Sequence, residues 1–361
     1  MKTDWFFDAD GTGTAFYAWK AWPVVRQACP NRRFLEPRRS ASCERVETAF
    51  VWGMDAERAE NMAALEIAKR DGARIVFCED GFLKSADTWA NGGAPLRYRR
   101  GCSVVFDTRT PYFDATRPSD LELALNDPGL APSQGELDEA RRLIARIVGS
   151  KLTKYNHQPL DCPYPGRRGR PKVLVIDQSY GDWSVKLGLA DDATFAEMLA
   201  DAVRENPDAD ILVKTHPDAM TGERRGYYDS VVEEGRVFRV TFPANPYSLL
   251  EHVDKVYVCT TQLGFEALMA GKEVHVYGMP FYAGWGLTVD RLKCPRRTVR
   301  RSLEEMFHVA YVTYTKWVDP STGRRCSVDA AIDRLLSLRR EYAFARRFFF
   351  LRSGLRRLAG R

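Results

Sequence analysis

Short apolar runs rich in β-branched residues recur along the chain. Arg74–Cys78 (RIVFC), Lys172–Ile176 (KVLVI), Ile211–Lys214 (ILVK), Lys255–Val258 (KVYV) and Val274–Tyr277 each span four or five residues, the length of a buried strand. Thr194–Val203 and Gly264–Ala270 carry a helical spacing of apolar positions instead. Strands that alternate with helices predict a parallel, doubly wound sheet in the second half of the chain. The stretch at 162–172, CPYPGRRGRPK, reads as a linker between two lobes, because Pro, Gly and clustered Arg bury poorly. The expected domains are 1–168, 169–330 and a basic helical tail over 331–361.

Ligands of such sheets meet the loops at the carboxyl ends of the strands. Three of these loops carry reactive groups: Glu79-Asp80-Gly81-Phe82, Gln178-Ser179-Tyr180-Gly181-Asp182 and Lys214-Thr215-His216-Pro217. Carboxylates, a cation and an imidazole suit a general base, an anion-stabilising group and a nucleotide contact. Taken singly, an acidic loop residue is more often solvated and a lone His more often structural. A fourth loop, Cys259-Thr260-Thr261-Gln262, leads into Gly264–Leu268, where hydroxyls and N–H groups either hold a phosphate or simply cap the helix. The glycine- and aromatic-rich segment Tyr277–Thr288, YGMPFYAGWGLT, reads as a shaped loop whose aromatic faces meet sugar.

Composition narrows the class. With 361 residues, 45% hydrophobic and 28% charged, the chain is globular and long enough for two cores. No stretch reaches the roughly 20 apolar residues of a membrane span, and the start lacks the pattern of a secretory signal, so a cytoplasmic protein is expected. Eight cysteines stand singly with no C-x-x-C pair, and five His at 157, 216, 252, 275 and 308 show no ligand spacing, which predicts reduced thiols and no metal. The net charge of +6 is modest, and no nucleic-acid partner is expected. Arg339, Arg340, Arg346, Arg347, Arg352, Arg356, Arg357 and Arg361 nevertheless crowd the end, interleaved with Phe348, Phe349, Phe350 and Leu351. Such a tail can lie on the anionic inner face of the inner membrane, or pack back as a terminal helix.

Val51-Trp52-Gly53, EDGFLKS at 79–85, YFDATRPSDLE at 112–122, QSYGD at 178–182, KTHPD at 214–218, TTQLGFEAL at 260–268, PFYAGWGLT at 280–288 and DPSTGRRC at 319–326 occur together in one known family. Over most of its length the chain resembles the KpsC-like capsule polysaccharide transferases. The resemblance implies an α/β, GT-B-like fold, two Rossmann-like lobes with the active site in the cleft between them. It also implies retaining transfer of an acidic sugar, β-Kdo, from its CMP-activated donor to a capsule-type glycan or glycolipid acceptor. The CMP-sugar is then a substrate, and no cofactor is required.

On this resemblance Asp182 is the nucleophile, Glu79 the acceptor base and His216 a contact to the donor phosphate. Lys214, Pro217, Thr260, Thr261, Gln262, Gly264 and Glu266 surround the nucleotide, and Asp80, Lys84, Ser85, Arg117, Tyr282 and Trp285 the sugars. Members of the family often carry two transferase modules in tandem, whereas this chain has room for one, and the segment after Ser85 is longer and more polar than the pattern. A sialyl- or polysialyl-type transferase using another CMP-sugar and a non-catalytic glycan-binding module are therefore alternatives. A third comes from Phe6–Thr12, FFDADGT, which matches the start of haloacid-dehalogenase-like phosphatases.

Overall fold

The computed structural model describes residues 6–19, 23–35, 44–88, 95–216, 219, 222 and 224–358, with side chains as far as Arg346. They fall into two compact units, one of residues 1–108, 152–157 and 311–361 and one of residues 109–151 and 158–310. Twelve strands are present among the described residues: β1 Thr14–Phe16, β2 Arg33–Leu35, β3 Thr48–Trp52, β4 Arg74–Asp80, β5 Ser103–Asp107, β6 Lys172–Ile176, β7 Asp210–Lys214, β8 Val237–Val240, β9 Lys255–Val258, β10 Glu273–Val276, β11 Val289–Asp290 and β12 Thr315–Trp317.

In the first unit the order is β12-β5-β4-β3-β1-β2. β2, β1, β3 and β4 run parallel, and β5 is antiparallel to both β4 and β12. Phe50, Phe106, Val76 and Val104 build its core. The second unit holds the parallel sheet read from the apolar runs, in the order β11-β10-β9-β6-β7-β8. Counted within the unit this is 6-5-4-1-2-3, the doubly wound order whose direction of winding reverses between β6 and β9. β6 and β7 are buried along their whole length, as strands covered by helices on both faces must be. Helix Asp192–Glu205 supplies part of that cover, placing Phe195 and Met198 against Val173, Val175, Ile211 and Val213.

The units do not follow the linear boundaries expected at 168/169 and 330/331. Helix Gln134–Gly149, opened by a Ser133/Glu136 capping box, packs against helices Leu263–Met269 and Leu303–Phe307, so 109–151 belongs to the second unit. β12 pairs with β5, which returns the chain after Tyr311 to the first. The Pro- and Arg-rich stretch is no free linker either. Arg167 donates to Oδ1 of buried Asp210 through both Nε and Nη2, at 3.0 and 2.6 Å, and to Oδ2 through its backbone N–H at 2.6 Å, and Lys172 Nζ donates to Tyr164 Oη and to the carbonyls of Arg167 and Arg170.

The phosphatase reading fails on topology. Its nucleophile must follow directly on a strand, but among the described residues Phe6 and Phe7 form none, Asp8 and Asp10 precede β1, and Asp8 Oδ1 accepts the N–H groups of Asp10 and Gly11 in an exposed turn. Gly11-Thr12-Gly13 accordingly lies at the amino end of β1.

Candidate active site

The reversal point of the second sheet brings together the loops after β6 and β9. Gln178 joins them, its Nε2 donating to Thr260 Oγ1 at 2.9 Å while its Oε1 accepts from Thr260 N at 2.9 Å. The β7 loop joins the same ensemble, with His216 Nδ1 3.0 Å from Ser179 Oγ. Lys214 ends β7 and is buried. Burial pulls its ammonium down to about 8, against the opposing pull of Asp177 and Glu266. Pro217 lies outside the described residues.

Asp177 was not singled out by the sequence, though it is the first residue after KVLVI. Its Oδ1 accepts from Gln178 N and Tyr227 N at 2.9 and 2.8 Å, tying the β6 loop to the chain around Gly226. Burial raises its carboxyl to about 6. Asp182 closes the same loop. It is half-buried and caps helix Trp183–Leu187 by accepting from Ser184 N at 2.8 Å; Gly181 before it takes the left-handed φ of 76° that a turn into this cap requires.

The aromatic loop serves a different purpose from the one its composition suggests. Tyr282 and Trp285 are 0% and 1% exposed and present no face to a sugar. Tyr282 Oη donates to Thr261 O at 2.6 Å, Trp285 Nε1 donates to Phe281 O at 2.8 Å, and Phe281 packs on Phe265. Gly264 is a glycine because a Cβ there would stand 2.1 Å from Tyr282 Oη. The loop is thus the buried support of the Thr260–Glu266 segment, in which Glu266 is buried and Gln262 Nε2 lies 3.4 Å from its Oε1. Arg117 sits in this unit too, half-exposed and 3.3 Å from Asp114. The adjoining Ala115 N donates to Leu187 O at the end of the helix that Asp182 caps.

The first unit carries the remaining candidates. Glu79 and Asp80 are the last residues of β4 rather than part of a loop. Burial, then the charge of Asp80, lifts the Glu79 carboxyl to about 7, with Lys154 and Lys84 pulling the other way. Asp80 forms a buried ion pair with Lys84, and Lys84 Nζ also lies 5.4 Å from the centre of the Tyr155 ring. Ser85 Oγ donates to Asp87 O at 2.6 Å, a structural engagement. The glycine of the motif is steric: a Cβ on Gly81 would fall 2.2 Å from Ser103 Oγ. Among the described residues no group of His, Cys, Asp and Glu could hold a metal ion, and no helix is long and apolar enough to cross a membrane.

Residues 165–318 match the family model described as capsule polysaccharide biosynthesis protein. The structure of Thermosulfurimonas dismutans KpsC, beta Kdo 2,4 transferase, superposes with a TM-score of 0.78 and 34% identity, covering 91% of this chain and 99% of that one. The chain belongs to the KpsC-like capsule polysaccharide family. A second KpsC-like structure from the same organism, beta Kdo 2,7 transferase, matches at a TM-score of 0.63 and 26% identity with the same coverage. Among curated relatives, the capsule polysaccharide modification protein LipA of Neisseria meningitidis serogroup A is 38% identical over 305 residues, 82% of this chain and 42% of LipA. The lipopolysaccharide-processing protein LpsZ of Rhizobium meliloti is 36% identical over 294 residues, 80% of this chain and 64% of LpsZ. The chain therefore spans less than half of LipA and just under two thirds of LpsZ.

Proposed function

We propose that this KpsC-like chain is a retaining glycosyltransferase that moves Kdo from CMP-Kdo to a capsule-type glycan or glycolipid. The supporting observation is the cluster at the reversal point of the second sheet, Gln178–Thr260, Ser179–His216 and the buried Lys214, in a chain 34% identical to a Kdo transferase over nearly its full length. In this reading the second unit binds the donor and the first the acceptor. His216, Lys214 and the Thr260-Thr261 hydroxyls meet the charge that grows on the departing phosphate. Asp182 attacks the anomeric carbon as the bond to the phosphate breaks and CMP leaves. The acceptor hydroxyl, its proton taken by Glu79, then displaces Asp182 from the same carbon, and two displacements restore the starting configuration.

A CMP-release assay with CMP-Kdo, CMP-sialic acid and UDP-sugars tests the donor. Release with CMP-Kdo and acceptor is expected, and release with only CMP-sialic acid would favour the sialyl-type alternative. His216→Ala should slow release by about tenfold or more, the scale of one lost charge-assisted contact. An unchanged rate and CMP affinity would make His216 structural.

The basic tail, whose side chains after Arg346 lie outside the described residues, we propose as a reversible contact to anionic lipid. Each basic residue near such a surface contributes about 1 kcal/mol. Shortening the chain after Tyr342 should reduce sedimentation with anionic vesicles at low salt, and undiminished sedimentation would reject the contact.

A further inference from the structure

Two exposed aromatic side chains flank Asp182 in the sequence. Tyr180 is 40% exposed and Trp183 is 42% exposed, although both belong to the short β6 loop and the helix it enters. Each carries a cation. The Arg225 guanidinium lies 3.9 Å from the centre of the Tyr180 ring, and Lys186 Nζ lies 5.6 Å from that of Trp183, one helical turn away. Arg225 and Lys186 are exposed, and among the described residues neither forms an ion pair, although the carboxylates of Asp182 and Asp192 are local.

Tyr180 and the backbone at Arg225 are fixed rather than loose. Tyr180 N donates to Arg225 O at 2.8 Å, and Ser179 pairs with Gly226 in an antiparallel bridge. Tyr180 Oη donates to Asp192 at 3.2 Å, and its ring leans on Tyr227 at 4.9 Å, which in turn stacks flat on Phe195 at 3.9 Å. A cation laid on an aromatic face keeps its charge while giving up part of its water. It is then ready to receive an anion, and the free ring face beside it suits the C–H groups of a sugar.

We infer that Arg225 on Tyr180 and Lys186 on Trp183 form an acidic-sugar subsite beside Asp182, in which the two cations take the sugar carboxylate and the exposed indole face takes the ring. This rests on the transferase reading above and names the part of that site that distinguishes an acidic from a neutral donor sugar. Asp182 alone would repel a carboxylate brought up to it, and the two cations carried by the aromatic rings that flank it in the sequence offset that repulsion.

The test compares CMP-Kdo with CMP by calorimetry on the full chain, in wild type and in Arg225→Gln, Lys186→Gln and Trp183→Leu. Wild type is expected to bind both ligands. The two charge-removing variants should weaken CMP-Kdo by about tenfold to a hundredfold with CMP affinity unchanged, and Trp183→Leu should weaken CMP-Kdo alone by a smaller factor. Equal weakening of both ligands would assign the cations to the nucleotide phosphate and overturn the subsite. Unchanged CMP-Kdo affinity in all three variants would overturn it as well, leaving the transferase reading intact. Wild type that binds neither ligand would instead overturn the transferase reading beneath it. Arg225→Lys, which keeps the charge, should recover most of the lost affinity, whereas a merely structural role for the planar guanidinium on Tyr180 would not be rescued.

Discussion

Asp182→Asn should abolish transfer while leaving the fold and CMP affinity in place. Asparagine caps a helix about as well as aspartate, and its side-chain oxygen can still accept from Ser184 N, so helix Trp183–Leu187 and the turn at Gly181 are retained. The amide, however, cannot attack the anomeric carbon. Loss of a nucleophile that acts in concert with its neighbours costs on the order of 10³-fold or more in kcat, roughly 4 kcal/mol of barrier. Ala would confound the experiment, because losing the cap alone destabilises a helix by about 1 kcal/mol. Turnover close to wild type in the Asn variant, measured as CMP release with acceptor, would remove Asp182 from the chemistry.

Glu79→Gln should cost about 10²- to 10⁴-fold in the acceptor step, the usual contribution of a general base, and should also flatten the pH profile. In the wild type, burial and the charge of Asp80 place the Glu79 carboxyl at about 7. The base acts only when ionised, so kcat/KM should rise with pH below about 7 and level off above it. The Gln variant keeps an oxygen for the Asp80 N–H that Glu79 Oε1 accepts at 2.8 Å, which confines the change to the missing base. Its residual rate should lose the rise centred at about pH 7 that Glu79 gives the wild type. A wild-type profile that is flat in that region, or a Gln variant that retains the full slope, would assign the pH dependence to another group.

Much of the second unit was legible because its strands are local signals. KVLVI and KVYV coincide with β6 and β9 residue for residue, and the loops that follow them proved to be the ones that meet through Gln178 and Thr260. The first unit was less legible. β5 and β12 pair across more than 200 residues of chain, and no local pattern announces such a partner. The same long-range pairing misplaced the domain boundaries.

The errors at the site have a common cause, since composition shows which side chains are present but not which way they face. PFYAGWGLT looked like a sugar-binding surface, but its glycines allow the chain to fold its aromatics inward, beneath Thr261 and Gly264. Exposed aromatics lie instead at Tyr180 and Trp183, among others, and these two flank a residue already chosen for its carboxylate. Asp177 escaped because a single acidic residue at the end of an apolar run is ordinarily solvated; only the fold shows that β7 and the chain at Tyr227 enclose it.

The most direct measurement of the central claim is the product formed when CMP-Kdo and a Kdo-terminated acceptor are incubated with the intact chain, with its anomeric configuration and linkage read by NMR. Retaining transfer by Asp182 predicts one CMP released for each β-linked Kdo added. A product of inverted configuration, or CMP released by hydrolysis with no sugar joined to the acceptor, would contradict it.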